Sequence, residues 1–276
     1  MRVSVVARAI VAATVAILAG CGRLAFDPAA RGDDAGRPDG PGPAAIPVDF
    51  GAGCIVGLTL DEPMWTGAPG EVIDSCSGHD GTAIRNAARI DDPTRGRAGN
   101  FPLPSGCIQI PDAPALHATT ALTMSAWVYP QSLDAVNPYG VIAKRSDYTM
   151  DDAEYTMFLW TDNTVWVDLD SRNDRNHGNK PILNGQWQQI TAVYDGSLPI
   201  AQRVQIYIDG VLDAVLAETS ASLTPYPNDL SIGCLPEQPI ATKPQIALGG
   251  LIDDAALWSR AFNSQEVADW YQATRH

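Results

Sequence analysis

The sequence predicts an all-β fold, an antiparallel β-sandwich, closed by one short C-terminal helix. Three observations carry that reading. Apolar and polar residues alternate with period two in several stretches, which puts one set of side chains in a core and the other on a face. Glycine, proline, asparagine and aspartate punctuate these stretches at the spacing of turns. Only the last dozen residues carry a helix start signal.

In chain order, strand-like pattern begins near Cys54 and persists almost to the end. Leu122, Met124, Ala126 and Val128 alternate with Thr123, Ser125, Trp127 and Tyr129. Val165, Val167 and Leu169 alternate with Trp166, Asp168 and Asp170. The stretch WQQITAVYDGSLPIAQRVQIYIDGVL, Trp187 to Leu212, holds two strand-like runs, each ending in Asp-Gly: Asp195-Gly196 and Asp209-Gly210. These aspartates are either a carboxylate pair or two turns. Residues 203–208 and 211–216 flank Asp209-Gly210 with none to spare, the pattern of a tight hairpin whose glycine accepts positive φ. Asp195-Gly196 closes the preceding strand in a longer connection, so both are read as turns. At the C-terminus, Asn263 is a capping residue with Glu266 three positions on, and Val267, Trp270 and Tyr271 mark an apolar stripe.

Composition bounds the partners. The chain has 276 residues, 32 Asp plus Glu against 18 Lys plus Arg, and a net charge of −14. Such a surface repels phosphate backbones, which argues against nucleic acid. Only six glutamates occur; the acid is mostly aspartate, which suits turns and calcium sites more than helix faces.

The first twenty residues read as a processing segment. Arg2 and Arg8 precede an apolar run and the sequence Leu18-Ala19-Gly20-Cys21. That ending resembles the bacterial lipobox, which implies cleavage before Cys21 and acylation of its thiol. The apolar run from Ala9 to Gly20 is short of the roughly 20 residues a span needs. Residues 21–47, rich in Gly, Pro, Ala and Asp without apolar periodicity, read as a disordered tether. Residues 48–276 form the expected domain.

Several pieces of that domain, in order, resemble the laminin G-like branch of the concanavalin A-like lectin/glucanase jelly rolls. They are Gly57–Asp61, the loop Asp74–Thr82, Cys107–Asp112, MSAWVYP at 124–130, GQWQQITAVYDG at 185–196, QIYIDG at 205–210, LSIG at 230–233 and GGLIDDAALWSRAFNSQEV at 249–267. The resemblance implies a jelly roll and makes Trp127, Trp187 and Trp258 framework positions. It says little about function, because this fold hosts lectins, adhesion modules, glycanases and spacers. The four domain cysteines and the arginine-rich 172–180 segment depart from the common pattern.

Catalytic templates are absent from the sequence. None of the six glutamates has the close carboxylate neighbourhood of a retaining glucanase. No G-x-S-x-G or H-E-x-x-H occurs. The expectation is a non-enzymatic protein. Cys54, Cys76, Cys107 and Cys234 form an even set in an exported chain, which implies two disulfides among three connectivities. A turn between the first two favours Cys54–Cys76, leaving Cys107–Cys234.

Asp74, Asp80, Asp253 and Asp254 sit in two loops that the resembled family brings together around calcium, so a structural Ca²⁺ is expected there; the alternative is that they form turns and cap strand ends. Tyr148, Tyr155, Trp160 and Trp166 lie in less patterned segments and offer rings to a sugar or an apolar partner. Ser171–Lys180, polar and turn-rich, presents Arg172 and Arg175 as a recognition loop or a solvated one.

The function expected is that of a cell-envelope lipoprotein of a Gram-negative-type bacterium. It is lipid-anchored, in the outer membrane on its periplasmic or surface face, and its domain binds a glycan or protein ligand. The alternatives are a glycan-active hydrolase with an unrecognised site and a structural spacer of an envelope assembly.

Overall fold

The structure, a computed structural model, describes residues 48–134, 136–147, 153–236 and 246–275, with residues 171–175 described by their backbone alone. The expected signal peptide, Cys21 and the tether therefore lie outside the described residues, as does Tyr148.

Seventeen strands and one α-helix are described. The strands are β1 (Cys54–Leu58), β2 (Thr82–Ile84), β3 (Ala88–Asp92), β4 (Gly96–Phe101), β5 (Cys107–Ile110), β6 (Ala121–Pro130), β7 (Tyr139–Lys144), β8 (Tyr155–Leu159) and β9 (Thr164–Leu169). They continue with β10 (Ser171–Pro181), β11 (Gln188–Asp195), β12 (Val204–Ile208), β13 (Val211–Leu216), β14 (Leu230–Ile232), β15 (Cys234–Leu235), β16 (Ile246–Ala247) and β17 (Gly250–Trp258). The helix α1 runs from Ser264 to Thr274. An eight-stranded sheet has the order β13-β12-β11-β6-β17-β4-β3, with β1 also on β17. A seven-stranded sheet has the order β10-β9-β8-β7-β14-β5-β2, and β15-β16 is a separate ribbon. All the pairings are antiparallel, and half of them join strands that are not consecutive in sequence, as in a jelly roll.

The core lies between the two sheets. Leu122, Met124, Ala126 and Val128 of β6 are buried there with Ile190 and Ala192 of β11. They share one cluster with Ile142 of β7, Met157 and Leu159 of β8, and Val165 and Val167 of β9. The period-two sets read from the sequence are thus the core sets.

The other face of β6 is also buried, because α1 packs over the eight-stranded sheet. Trp258, Val267 and Trp270 form a second cluster with Phe50 and Tyr207. Polar members of β6 reach the helix by hydrogen bonds: Trp127 Nε1 donates to Thr274 Oγ1 at 2.9 Å, and Trp270 Nε1 donates to Ser125 Oγ at 3.1 Å. The helix begins as the sequence predicts. Asn263 accepts from the amides of Gln265 and Glu266, and the Glu266 carboxylate accepts from the Asn263 amide. Its buried stripe is Val267, Trp270 and Thr274; Tyr271 instead stacks on Trp127 at 5.5 Å.

The two Asp-Gly pairs are turns. Asp209 and Gly210 have φ of 53° and 74°, both positive, as a two-residue type I′ hairpin requires. The Asp209 carboxylate also accepts the Gln189 amide at 2.9 Å, tying the turn to β11. Asp195 accepts the Ser197 amide, and Gly196 passes so close to the chain that a Cβ there would lie 2.1 Å from the Ala221 carbonyl oxygen.

The stretch expected as a loop, Ser171–Lys180, is instead the edge strand β10. Backbone pairing to β9 needs no apolar side chain, and an edge strand has solvent on one side, so its polar composition hid it. The disulfides are Cys54–Cys76 and Cys107–Cys234, the second joining β5 to β15. Among the described residues no helix is long and apolar enough to cross a membrane.

Candidate functional site

The outer face of the seven-stranded sheet is built from the residues that alternate with the core. Strand register aligns them in two parallel rows. One row runs Asp168 (β9), Thr156 (β8), Ala143 (β7), Ser231 (β14), Gln109 (β5) and Thr82 (β2), each opposite the next. The other runs His177 (β10), Trp166 (β9), Phe158 (β8) and Gly140 (β7). Two residues separate the rows on β8 and β9, so they lie about 7 Å apart there, and a bulge in β7 makes the separation three between Ala143 and Gly140.

The ribbon β15-β16 lies over the middle of this face. A Cβ on Gly140 would meet the Cys234 carbonyl carbon at 2.0 Å, so only glycine lets β15 cross there. Leu235 packs on Ala143 and Phe158. What stays open is an aromatic patch beside the ribbon. Trp166 stacks on His177 at 4.8 Å and lies 5.3 Å from Trp160, with Phe158 beneath both indoles. Trp160 and Trp166 are half-buried and His177 is exposed. Trp166 is held in place by its Nε1, which donates to Thr164 Oγ1 at 2.9 Å; that hydroxyl bonds Asp162. Burial pushes the Asp162 carboxyl up, but the Thr164 hydroxyl and amide outweigh it and hold the group below its usual value. Fixed indole faces with polar groups at their rim can stack on a ring and bond its hydroxyls. A second opening on this face, a cavity of about 150 Å³, is lined by Arg145, Asn228, Asp229 and Ser231. Arg145 is buried there and bonds Asp168 at 3.2 Å.

Of the residues expected to bind ligand, Trp160 and Trp166 are brought together on this patch. Tyr155 is not: it is fully buried in the core, and its hydroxyl donates to the Leu116 carbonyl at 2.9 Å. Burial drives its phenol well above the usual value, and the charges of Glu154 and Asp112 add to that. Its position on β8 decides this, since Tyr155, Met157 and Leu159 share the inward face. The side chains of Arg172 and Arg175 lie outside the described residues. His177, which the sequence places with Arg172, Arg175 and Lys180 in the candidate recognition loop, belongs to the patch.

The four aspartates expected around calcium are held in separate networks. Asp74 accepts four backbone amides, from Gly57, Cys76, Ser77 and His79, and so caps the loop that follows it. Asp80 accepts the amide of Asp74. Asp253 and Asp254 instead share one cation, the buried guanidinium of Arg95, at 2.5 and 2.6 Å. Arg95 also donates to the Thr274 carbonyl and lies over the ring of Trp127 at 4.4 Å. Burial pushes both carboxyls up; the Asp254 charge adds to the rise at Asp253, while Arg95 opposes it at both. These donors do not fit a shared ion, because amides occupy one pair and an arginine the other. Among the described residues no group of three or more His, Cys, Asp or Glu is placed to hold a metal.

A lectin-type jelly roll with an aromatic patch on its seven-stranded sheet is the class of domain this geometry defines. A laminin G-type model of the concanavalin A-like lectin/glucanases superfamily matches residues 104–268. That is more than half of the chain, which belongs to this family. No curated protein matches the chain by sequence. Among solved structures, it is similar to domain 4 of a GH43 extracellular arabinanase from Geobacillus stearothermophilus, solved in complex with arabinotriose. The identity is 20% and the TM-score 0.53, over 72% of this chain and 92% of that one. It is also similar to the binding domain of botulinum neurotoxin DC, in complex with rat synaptotagmin II, at 10% identity and a TM-score of 0.57. A third is a botulinum neurotoxin type C structure, whose cell entry depends on two ganglioside molecules, at 11% identity and a TM-score of 0.57. The chain covers 81% of itself but only 52% of either neurotoxin chain, about half their length. At these identities the likeness is one of fold.

Proposed function

We propose that this protein is a non-enzymatic glycan-binding module of the cell envelope, held to a membrane by a lipid on Cys21. The observation that carries the reading is the Trp160–Trp166–His177 patch, where indole faces stay half-exposed on a rigid sheet. Sugar rings stack on such faces through their C–H groups while hydroxyls reach the polar rim. The arabinotriose in one structural neighbour and the gangliosides named for another agree with a carbohydrate ligand. The anchor rests on the Leu18-Ala19-Gly20-Cys21 sequence, and the two disulfides suit an oxidising compartment outside the cytoplasm.

A glycan array probed with the full chain, followed by calorimetry on the best oligosaccharide, tests the ligand. Trp166→Ala should weaken binding about tenfold, or 1.4 kcal/mol, in a variant whose cooperative melt shows that the domain is still folded. The oligosaccharide should be recovered intact; shortened products would make the protein a hydrolase. No bound glycan, or a Trp166→Ala variant that binds as well as the parent, removes the patch as the site. For the anchor, Cys21→Ser should leave the detergent phase on partitioning.

A further inference from the structure

The rim of the sandwich holds a group of buried ionisable side chains that the glycan reading does not use. Lys144, the last residue of β7, is fully buried, and its Nζ lies 2.5 Å from Oδ1 of Asp112, which follows β5. The same Nζ donates to two carbonyls, Asn228 at 2.6 Å and Tyr226 at 3.1 Å. Glu154, fully buried, lies 3.8 Å from Nζ through its Oε2. That oxygen also meets His117 Nδ1 at 2.8 Å, while Nε2 of the same imidazole lies 3.5 Å from Asp112. The second carboxylate oxygen of Glu154 is buried with no hydrogen-bond partner.

An amine, a carboxyl and a second carboxyl able to carry protons between them are the three parts needed to make an amide. We propose that Lys144 and Asp112 condense spontaneously into an intramolecular isopeptide bond, with Glu154 as the proton carrier. The ammonium gives one proton to the Asp112 carboxylate, leaving a neutral amine and a neutral acid. The Nζ lone pair attacks Cγ of Asp112, and the new C–N bond gives a tetrahedral centre. Glu154 takes a proton from the nitrogen and delivers it to the departing hydroxyl. The C–O bond breaks, and one water leaves. The sum is an ammonium and a carboxylate converted to an amide and water, with Glu154 regenerated and no other reactant consumed.

The surroundings favour both rate and direction. The carbonyls of Tyr226 and Asn228 fix the nucleophile against its target, which replaces a bimolecular encounter with a held one. An ion pair away from water carries a desolvation cost that a neutral amide does not. Asp112 keeps 26% of its side chain exposed, so the water has a way out. The bond would join the end of β7 to the residues after β5 across β14, which lies between them in the sheet. It would staple the sheet at the end of β5 opposite Cys107, whose disulfide to Cys234 ties the other end.

Trypsin reads the bond directly. Residues 98–144 contain no Lys or Arg before Lys144, and Arg145 follows. The full chain is denatured, reduced, alkylated and digested. If the bond forms, Lys144 resists cleavage, and a peptide of residues 98–145 appears one water lighter than its sequence. The Lys144→Arg variant should give residues 98–144 at full mass. Glu154→Gln, checked for a folded melt, should leave most chains unbonded and cleaved after Lys144. A parent chain that is cut after Lys144 and yields residues 98–144 at full mass overturns the proposal. Bond formation in Glu154→Gln at the parent's rate removes Glu154 from it.

Discussion

Replacing Asp254 by asparagine should flatten the way the protein's stability depends on pH. Asp254 is 3% exposed and shares the single guanidinium of Arg95 with Asp253, itself 3% exposed. Two carboxylates against one cation leave the site balanced when the pair holds one proton. Burial pushes the Asp254 carboxyl up to about 7, against the pull of Arg95 and with help from the charge of Asp61. The folded protein therefore holds a proton that the unfolded chain releases near the ordinary value of 3.8. For a carboxyl raised on folding, the stabilisation is fully present below the unfolded value. It is lost as pH rises through the folded one, at about 1.4 kcal/mol per pH unit. Between pH 4 and pH 8 the ionisation of Asp254 should thus cost the parent about 4 kcal/mol. Asparagine keeps the oxygen that Arg95 bonds, tolerates the φ of 45° at this position and does not titrate here. Urea unfolding followed by tryptophan fluorescence at pH 5, 6, 7 and 8 measures the effect. The parent should lose stability across the series relative to Asp254→Asn, which should be the more stable of the two at pH 8. Parallel pH profiles for the two proteins would refute the reasoning and leave both aspartates ionised against Arg95.

Asp74→Ala should cost about 2–4 kcal/mol, because four loop amides lose their acceptor, and the loss should be the same in calcium and in chelator; a calcium-dependent difference in thermal melts would restore the metal reading. Removing the Cys107–Cys234 bridge, which closes a separation of 127 residues, should cost about 5 kcal/mol. Removing Cys54–Cys76, with a separation of 22, should cost about 3, and chemical denaturation ranks them. In the hairpin, Gly210→Val should cost more than Asp209→Ala, whose loss of about 1–2 kcal/mol comes from the Gln189 amide and from the left-handed turn. At Gly210 positive φ and the nearby Tyr271 ring both oppose a side chain; thermal melts of the two variants decide.

Much of the architecture was legible in the sequence, because its causes are local. Period-two alternation assigned β6 and β9 and their core faces, since a strand turns successive side chains to opposite sides whatever it packs against. Asp209-Gly210 announced its hairpin because positive φ is a property of the residues themselves, and Asn263 with Glu266 announced the helix start for the same kind of reason. The number of cysteines implied two disulfides but left three connectivities; the turn between Cys54 and Cys76 favoured the pairing that the structure has. What the sequence left undecided depends on partners far along the chain. Trp166 was legible as outward, since it alternates with Val165 and Val167, but Tyr155 carried no such pattern, and only the inward face of β8 put it in the core. The polar run at 171–180 concealed β10, because an edge strand is held by backbone bonds to β9 that composition does not record. Asp253 and Asp254 gave no sign of Arg95, which lies 158 residues earlier and meets them only because β4 pairs with β17. Lys144, Asp112 and Glu154 are likewise ordinary residues in sequence. They become a reactive group only where the ends of β5 and β7 and the start of β8 close one rim of the sandwich. Local conformational preference is written residue by residue, whereas the pairing of charges inside a sandwich is fixed by sheet order, which the chain specifies only as a whole.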